Sequence, residues 1–210
     1  MLHNTKQDTG EILVSQYNSI LVGPDATVYA AIVSRGIVKV AESGKQDLLL
    51  EGWPPNTTVN RLQMYNNTLY ACTSQGLFLY RNQEWKATEI QIPCYQIREN
   101  GGFGFAATAS GLWCGSGHQW KCSAFAGKTV YDFISLPHFL IVGLSEGIFF
   151  YKRDTFDWGK LYEGHSITSL AVFYNQLIAT TDQGEFIVGT SRDHFEALRF
   201  GEMFCQPFNF

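Results

Sequence analysis

Leu69-Tyr70-Ala71-Cys72-Thr73-Ser74-Gln75-Gly76-Leu77-Phe78-Leu79-Tyr80-Arg81-Asn82-Gln83-Glu84-Trp85 decides the fold, because its plan returns four more times along the chain. Residues 69–73 are short, apolar and β-favouring, Ser74-Gln75-Gly76 makes a tight turn, and residues 77–81 form a second such run. That is a β-hairpin. The same plan joins Tyr29-Ala30-Ala31 to Gly36-Ile37-Val38, Ala106-Ala107-Thr108 to Gly111-Leu112-Trp113, Leu140-Ile141-Val142 to Gly147-Ile148-Phe149, and Ile178-Ala179-Thr180 to Gly184-Glu185-Phe186. The marker glycines Gly36, Gly76, Gly111, Gly147 and Gly184 lie 40, 35, 36 and 37 residues apart, the period of a repeat architecture.

Working outward, each hairpin gains a strand on either side. In the second unit these are residues 60–65, entered through the turn Asn66-Asn67, and a run starting at Trp85. The first unit opens on Ile20-Leu21-Val22; the third, fourth and fifth open at residues 95–99, 131–135 and 168–173. Four antiparallel strands per unit, five units and no helix predict an all-β chain folded as a five-bladed β-propeller, whose radial packing buries both faces of each sheet. One domain then spans residues 1–210, with blades at about 19–52, 59–92, 94–125, 130–163 and 167–200. Residues 1–10 are expected to be a flexible tail. Residues 11–16 and 203–210 are expected to close the ring as terminal strands, since an open edge strand invites aggregation.

The composition excludes several function classes. A formal net charge of −4 gives no electrostatic reason for a nucleic-acid or anionic-membrane partner. The polar start of the chain lacks the apolar core of a signal peptide, so a cytoplasmic setting is expected. Five cysteines, an odd number scattered among apolar neighbours, suit reduced core thiols rather than a disulfide framework. Cys114, His118 and Cys122 have metal-like spacing but lack a fourth ligand nearby, and are read as two core thiols and a turn residue, with no metal or cofactor expected.

The unit around Gly76, with Trp85 after it, resembles the repeats of Asp-box (neuraminidase-repeat) propellers, including sortilin-like and photosystem II assembly-factor propellers, and the sensor propellers of two-component regulators. The resemblance covers all five units and implies the propeller fold. The Asp-box itself, Ser-x-Asp-x-Gly-x-Thr-Trp, is reduced to its tryptophan at Trp85, Trp120 and Trp158. Sialidase-like members of this broad group carry an arginine cluster about the axis. Here Arg61 alone stands among the aligned first-strand residues, so no enzyme activity is expected.

Aligning the first strands puts Leu21, Leu62, Ile97, Phe133 and Leu170 in one apolar layer. One place earlier, Ile20, Arg61, Gln96, Asp132 and Ser169 share no chemistry, so packing alone does not account for them. In a propeller the connections entering each first strand and those between second and third strands emerge on one face. That face would carry Trp53, Arg61, Tyr95, Gln96, Tyr131, Asp132 and Ser169, with Arg35, Gln75 and Glu146 from the hairpin turns around them. Trp53 lies in an irregular connection, where a tryptophan has less reason to be buried. Tyr, Trp and Arg among neutral polar groups suit an interaction surface for a protein or peptide, with a small-ligand or carbohydrate site as the alternative and a glycoside hydrolase after that.

Overall fold

The computed structural model describes residues 17–33, 35–100, 103–192 and 194–199. They form twenty strands and no helix, so none is long and apolar enough to cross a membrane. The first sheet holds β1 (Tyr17–Val22), β2 (Val28–Ile32), β3 (Gly36–Val40) and β4 (Gln46–Leu49). The second holds β5 (Val59–Tyr65), β6 (Thr68–Thr73), β7 (Gly76–Arg81) and β8 (Glu84–Ala87), and the third β9 (Cys94–Asn100), β10 (Phe103–Thr108), β11 (Gly111–Ser116) and β12 (Gln119–Ala124). The fourth holds β13 (Val130–Ser135), β14 (Phe139–Leu144), β15 (Gly147–Lys152) and β16 (Trp158–Glu163), and the fifth β17 (Ile167–Phe173), β18 (Gln176–Thr181), β19 (Glu185–Ser191) and β20 (His194–Arg199). Every sheet is antiparallel, with its strands in chain order. The five predicted units are therefore present. The expected closing segments, residues 11–16 and 203–210, and the tail 1–10 lie outside the described residues.

The turns show why these sequences fold this way. Asn66-Asn67, Asn82-Gln83 and Tyr174-Asn175 all have positive φ at both positions, the geometry whose twist matches two antiparallel strands. At Gly76 (φ 142°) and Gly147 (φ 131°) a β-carbon would come within 2.2 Å of the Ile90 carbonyl and 2.1 Å of the Tyr162 carbonyl. Glycine is required there because backbone at the end of the fourth strand, or just beyond it, lies against the turn. In the fifth unit β19 starts at Glu185, and Gly184 has open space around it. The marker glycine there belongs to a longer turn.

The core is not one body but four layers, one between each pair of successive sheets. Leu62 and Phe78 pack towards Ala31 and Ile37; Ile97 and Ala106 towards Cys72 and Leu77; Phe133 and Val142 towards Ala107 and Leu112; Leu170 and Ile187 towards Ile141 and Ile148. The innermost strands pack in chain order, β1 on β5, β5 on β9, β9 on β13 and β13 on β17. No packing of that extent joins β17 to β1 among the described residues. Apolar side chains stay exposed at both ends of the series, with Ile20 at 62% and Val22 at 67% on the first sheet and Phe173 at 59% on the fifth.

Register corrects one alignment. Ile20 stands opposite Ala30 just as Leu62 stands opposite Ala71, Ile97 opposite Ala106, Phe133 opposite Val142 and Leu170 opposite Ala179. The first-blade equivalent of these residues is Ile20, not Leu21, and its polar neighbour is Ser19; Leu21 packs from the other face against the layer between the first two blades. The β1–β2 connection is longer than its counterparts, which hides the offset from a count along the chain.

Candidate functional site

Each innermost strand carries a β-bulge at the same place. Pairing skips Asn18 in β1, Asn60 in β5, Tyr95 in β9, Tyr131 in β13 and Thr168 in β17. A bulge inserts one unpaired residue and re-aims the side chains around it. Here it lets residues three apart share a face: Val59 with Leu62, Cys94 with Ile97, Val130 with Phe133 and Ile167 with Leu170 each enter one core layer. Strict alternation would put such pairs on opposite faces. The apolar i, i+3 spacing is the signal of the bulge in the sequence.

The residue after the bulge has a structural duty. Ser19 Oγ accepts from the Leu62 N–H at 2.9 Å, Gln96 Nε2 donates to the Phe133 carbonyl at 3.1 Å, and Asp132 Oδ2 accepts from the Leu170 N–H at 2.9 Å. At the second joint Gln63 Oε1 takes over, accepting from the Ile97 N–H at 2.8 Å. These side chains tie each blade to the inner strand of the next. Gln96 (0% exposed) and Asp132 (3% exposed) are therefore held between blades, a correction to the expectation that both stand on an open binding face. Their variety follows from which backbone group each must satisfy.

Trp53 is corrected likewise. It packs with Trp85 (5.0 Å between centroids) and Phe78 (6.0 Å) against the layer between the first two blades, so the irregular connection is pinned by its tryptophan. The Trp85 indole N–H in turn donates to the Leu49 carbonyl at 3.1 Å.

Arg61, Tyr95 and Tyr131 remain at the surface, all at the start of the innermost strands. The Arg61 guanidinium stands 3.7 Å from Asp132 Oδ1 with its side chain 37% exposed, and the half-buried rings of Tyr95 and Tyr131 lie 5.1 Å apart. Burial, followed by the neighbouring Tyr131, raises the Tyr95 phenol pKa, so its hydroxyl is protonated at neutral pH. Ser169 donates to Asp132 Oδ2 at 3.3 Å, completing a cluster drawn from the second, third, fourth and fifth blades. The hairpin-turn residues are scattered around it: Arg35 is exposed, Gln75 donates to the Pro55 carbonyl at 2.9 Å, and Glu146 pairs with Lys128. His118 faces the Ala87 carbonyl at 3.2 Å, and among the described residues no three His, Cys, Asp or Glu side chains converge as metal ligands. The cluster offers a guanidinium and two phenols beside a buried carboxylate.

No family model and no curated protein matches this sequence. Solved structures do match by shape. The extracellular domain of the one-component system BT4673 from B. thetaiotaomicron superposes with a TM-score of 0.74 at 16% identity, covering 91% of this chain and 28% of that one. The WD40 β-propeller domain of Doa1 does so with 0.68 at 10% identity, covering 88% and 68%. The fold is a β-propeller. A computationally designed protein, Ika8, superposes with 0.64 at 14% identity, and this propeller chain spans 58% of its length.

Proposed function

We propose that this propeller is a non-enzymatic binding or scaffold module that holds a protein or peptide on the face carrying Arg61, Tyr95 and Tyr131. The observation that supports this most is the Arg61–Asp132 pair beside the Tyr95–Tyr131 pair. A guanidinium anchored by a buried carboxylate and two partly exposed phenols are the side chains that dominate protein recognition, and here they are fixed before any partner arrives. The bulges support the same reading, because they place Tyr95 and Tyr131 outside the ladder at the surface end of the strands. The proposed setting is cytoplasmic, in keeping with the free buried thiols Cys72, Cys94 and Cys114.

The test is capture of a partner from native lysate by immobilised protein, repeated with Arg61→Ala, Tyr95→Ala and Tyr131→Ala. Arg61→Ala leaves Asp132 its Phe133 and Leu170 N–H donors, so the joint survives. Each variant is expected to lose capture while keeping its melting temperature to within a few degrees. Undiminished capture by all three would move the partner site elsewhere.

A further inference from the structure

A cleft lies between the third and fourth blades, at the far end of the strands from Arg61. Its volume is about 300 Å³, the lower end of the range for small-molecule sites. Two arginines line it, Arg98 from β9 and Arg153 just beyond β15, and among the described residues no Asp or Glu does. Among the described residues neither arginine has a carboxylate partner. The net charge of the chain is −4, so an acid-free cleft with two cations runs against its overall balance.

Arg153 is held in place rather than free to swing into solvent. Its backbone N–H donates to the His138 carbonyl at 3.2 Å, its guanidinium carbon lies 5.4 Å from the Phe105 ring centroid, and its Nη2 donates to Ser135 Oγ. Its Nε is shielded from solvent and has no acceptor among the described residues. Burial also lowers the guanidinium pKa. Ser123 Oγ and the Tyr151 hydroxyl, 2.7 Å apart, add a hydroxyl pair, and burial raises the Tyr151 pKa so that it keeps its proton. Aromatic rings complete the walls: Phe103 stands edge-on to Phe105 at 6.0 Å, Phe105 to Tyr151 at 6.3 Å, and Phe156 lies 6.5 Å from Tyr151 at the mouth.

A brace between strands would use Arg153 against Phe105 and Ser135, but it would give no part to Arg98 or to the unmatched Nε. We infer that this cleft binds a small organic acid, its carboxylate on the guanidiniums of Arg98 and Arg153 and its flat apolar body among Phe103, Phe105 and Phe156. A guanidinium fork matches a carboxylate in two parallel hydrogen bonds, and aromatic walls accept a flat ligand while excluding water from that pair. The inference does not rest on the partner face, which lies at the other end of the strands.

Calorimetric titration with phenylacetate tests it, with phenylacetamide as the neutral counterpart, acetate as the head group alone, and Arg35→Gln as a control at the opposite end. Phenylacetate is expected to bind one site saturably, phenylacetamide at least about tenfold more weakly for want of a charge-assisted hydrogen bond, and acetate at least about tenfold more weakly for want of the ring's apolar burial. Arg98→Gln and Arg153→Gln should each cost about tenfold, and Arg35→Gln nothing. Should Arg153→Gln fail to fold, Arg98→Gln and the amide comparison still decide. No saturable binding of phenylacetate, equal binding of acid and amide, or full affinity in the arginine variants would overturn the inference.

Discussion

Thr73 shows how much one hydroxyl can do. Fully buried, it donates to the Gly76 carbonyl at 2.8 Å and accepts from the N–H groups of Gln75 and Gly76 at 3.1 Å. Thr108 repeats this with Gly111 and Ser110, and Thr181 accepts from Gln183 and Glu185. The hydroxyl closes the turn between second and third strands, and Leu144 fills the same place in the fourth blade with apolar bulk instead. Thr73→Val keeps the shape but leaves those backbone groups unsatisfied. It should cost about 1–3 kcal/mol in urea unfolding, whereas Thr73→Ser should cost less. No loss in Thr73→Val would take the turn's stability away from the hydroxyl. The threonines three residues before Gly76, Gly111 and Gly184 were visible in the sequence; their closed rings of hydrogen bonds were not, because the residues bonded are set by turn length.

At the scale of the strand, position within the series decides what an apolar residue contributes. Leu62 and Ile20 hold equivalent places opposite Ala71 and Ala30, yet Leu62 is 3% exposed and Ile20 62%. Leu62→Ala should therefore cost about 2–5 kcal/mol and Ile20→Ala under about 0.5 kcal/mol, read from denaturation midpoints. A large loss at Ile20 would mean that a further segment covers the first blade. The hairpins were legible because turn and strand chemistry lie within about ten residues of each other. Register across β1 and β2 was hidden by the longer connection between them, and the bulges at Tyr95 and Tyr131 left only an apolar i, i+3 spacing in the sequence, because the packing that uses them lies on the neighbouring blade. For the same reason Gln96 and Asp132 looked like surface residues: a polar side chain whose partner sits on another blade, 37 or 38 residues away, has no local signature.

Over the whole molecule, stability should be graded. The middle strands β6, β10 and β14 are almost wholly buried, while β1 and β17 alternate with solvent. In an array whose members contact only their neighbours, the ends open first. Amide hydrogen exchange should be slowest in β6, β10 and β14 and fastest in β1 and β17, and uniform protection would contradict a graded series. The side-chain bonds along the inner strands add a direction to this array. Ser19, Gln63, Gln96 and Asp132 each reach forward to the backbone of the following blade, so every internal blade has a side that gives and a side that receives. A gene duplication that copied such a unit in tandem would carry both halves of the joint with it, so the series could grow by whole blades without any new contact having to be invented.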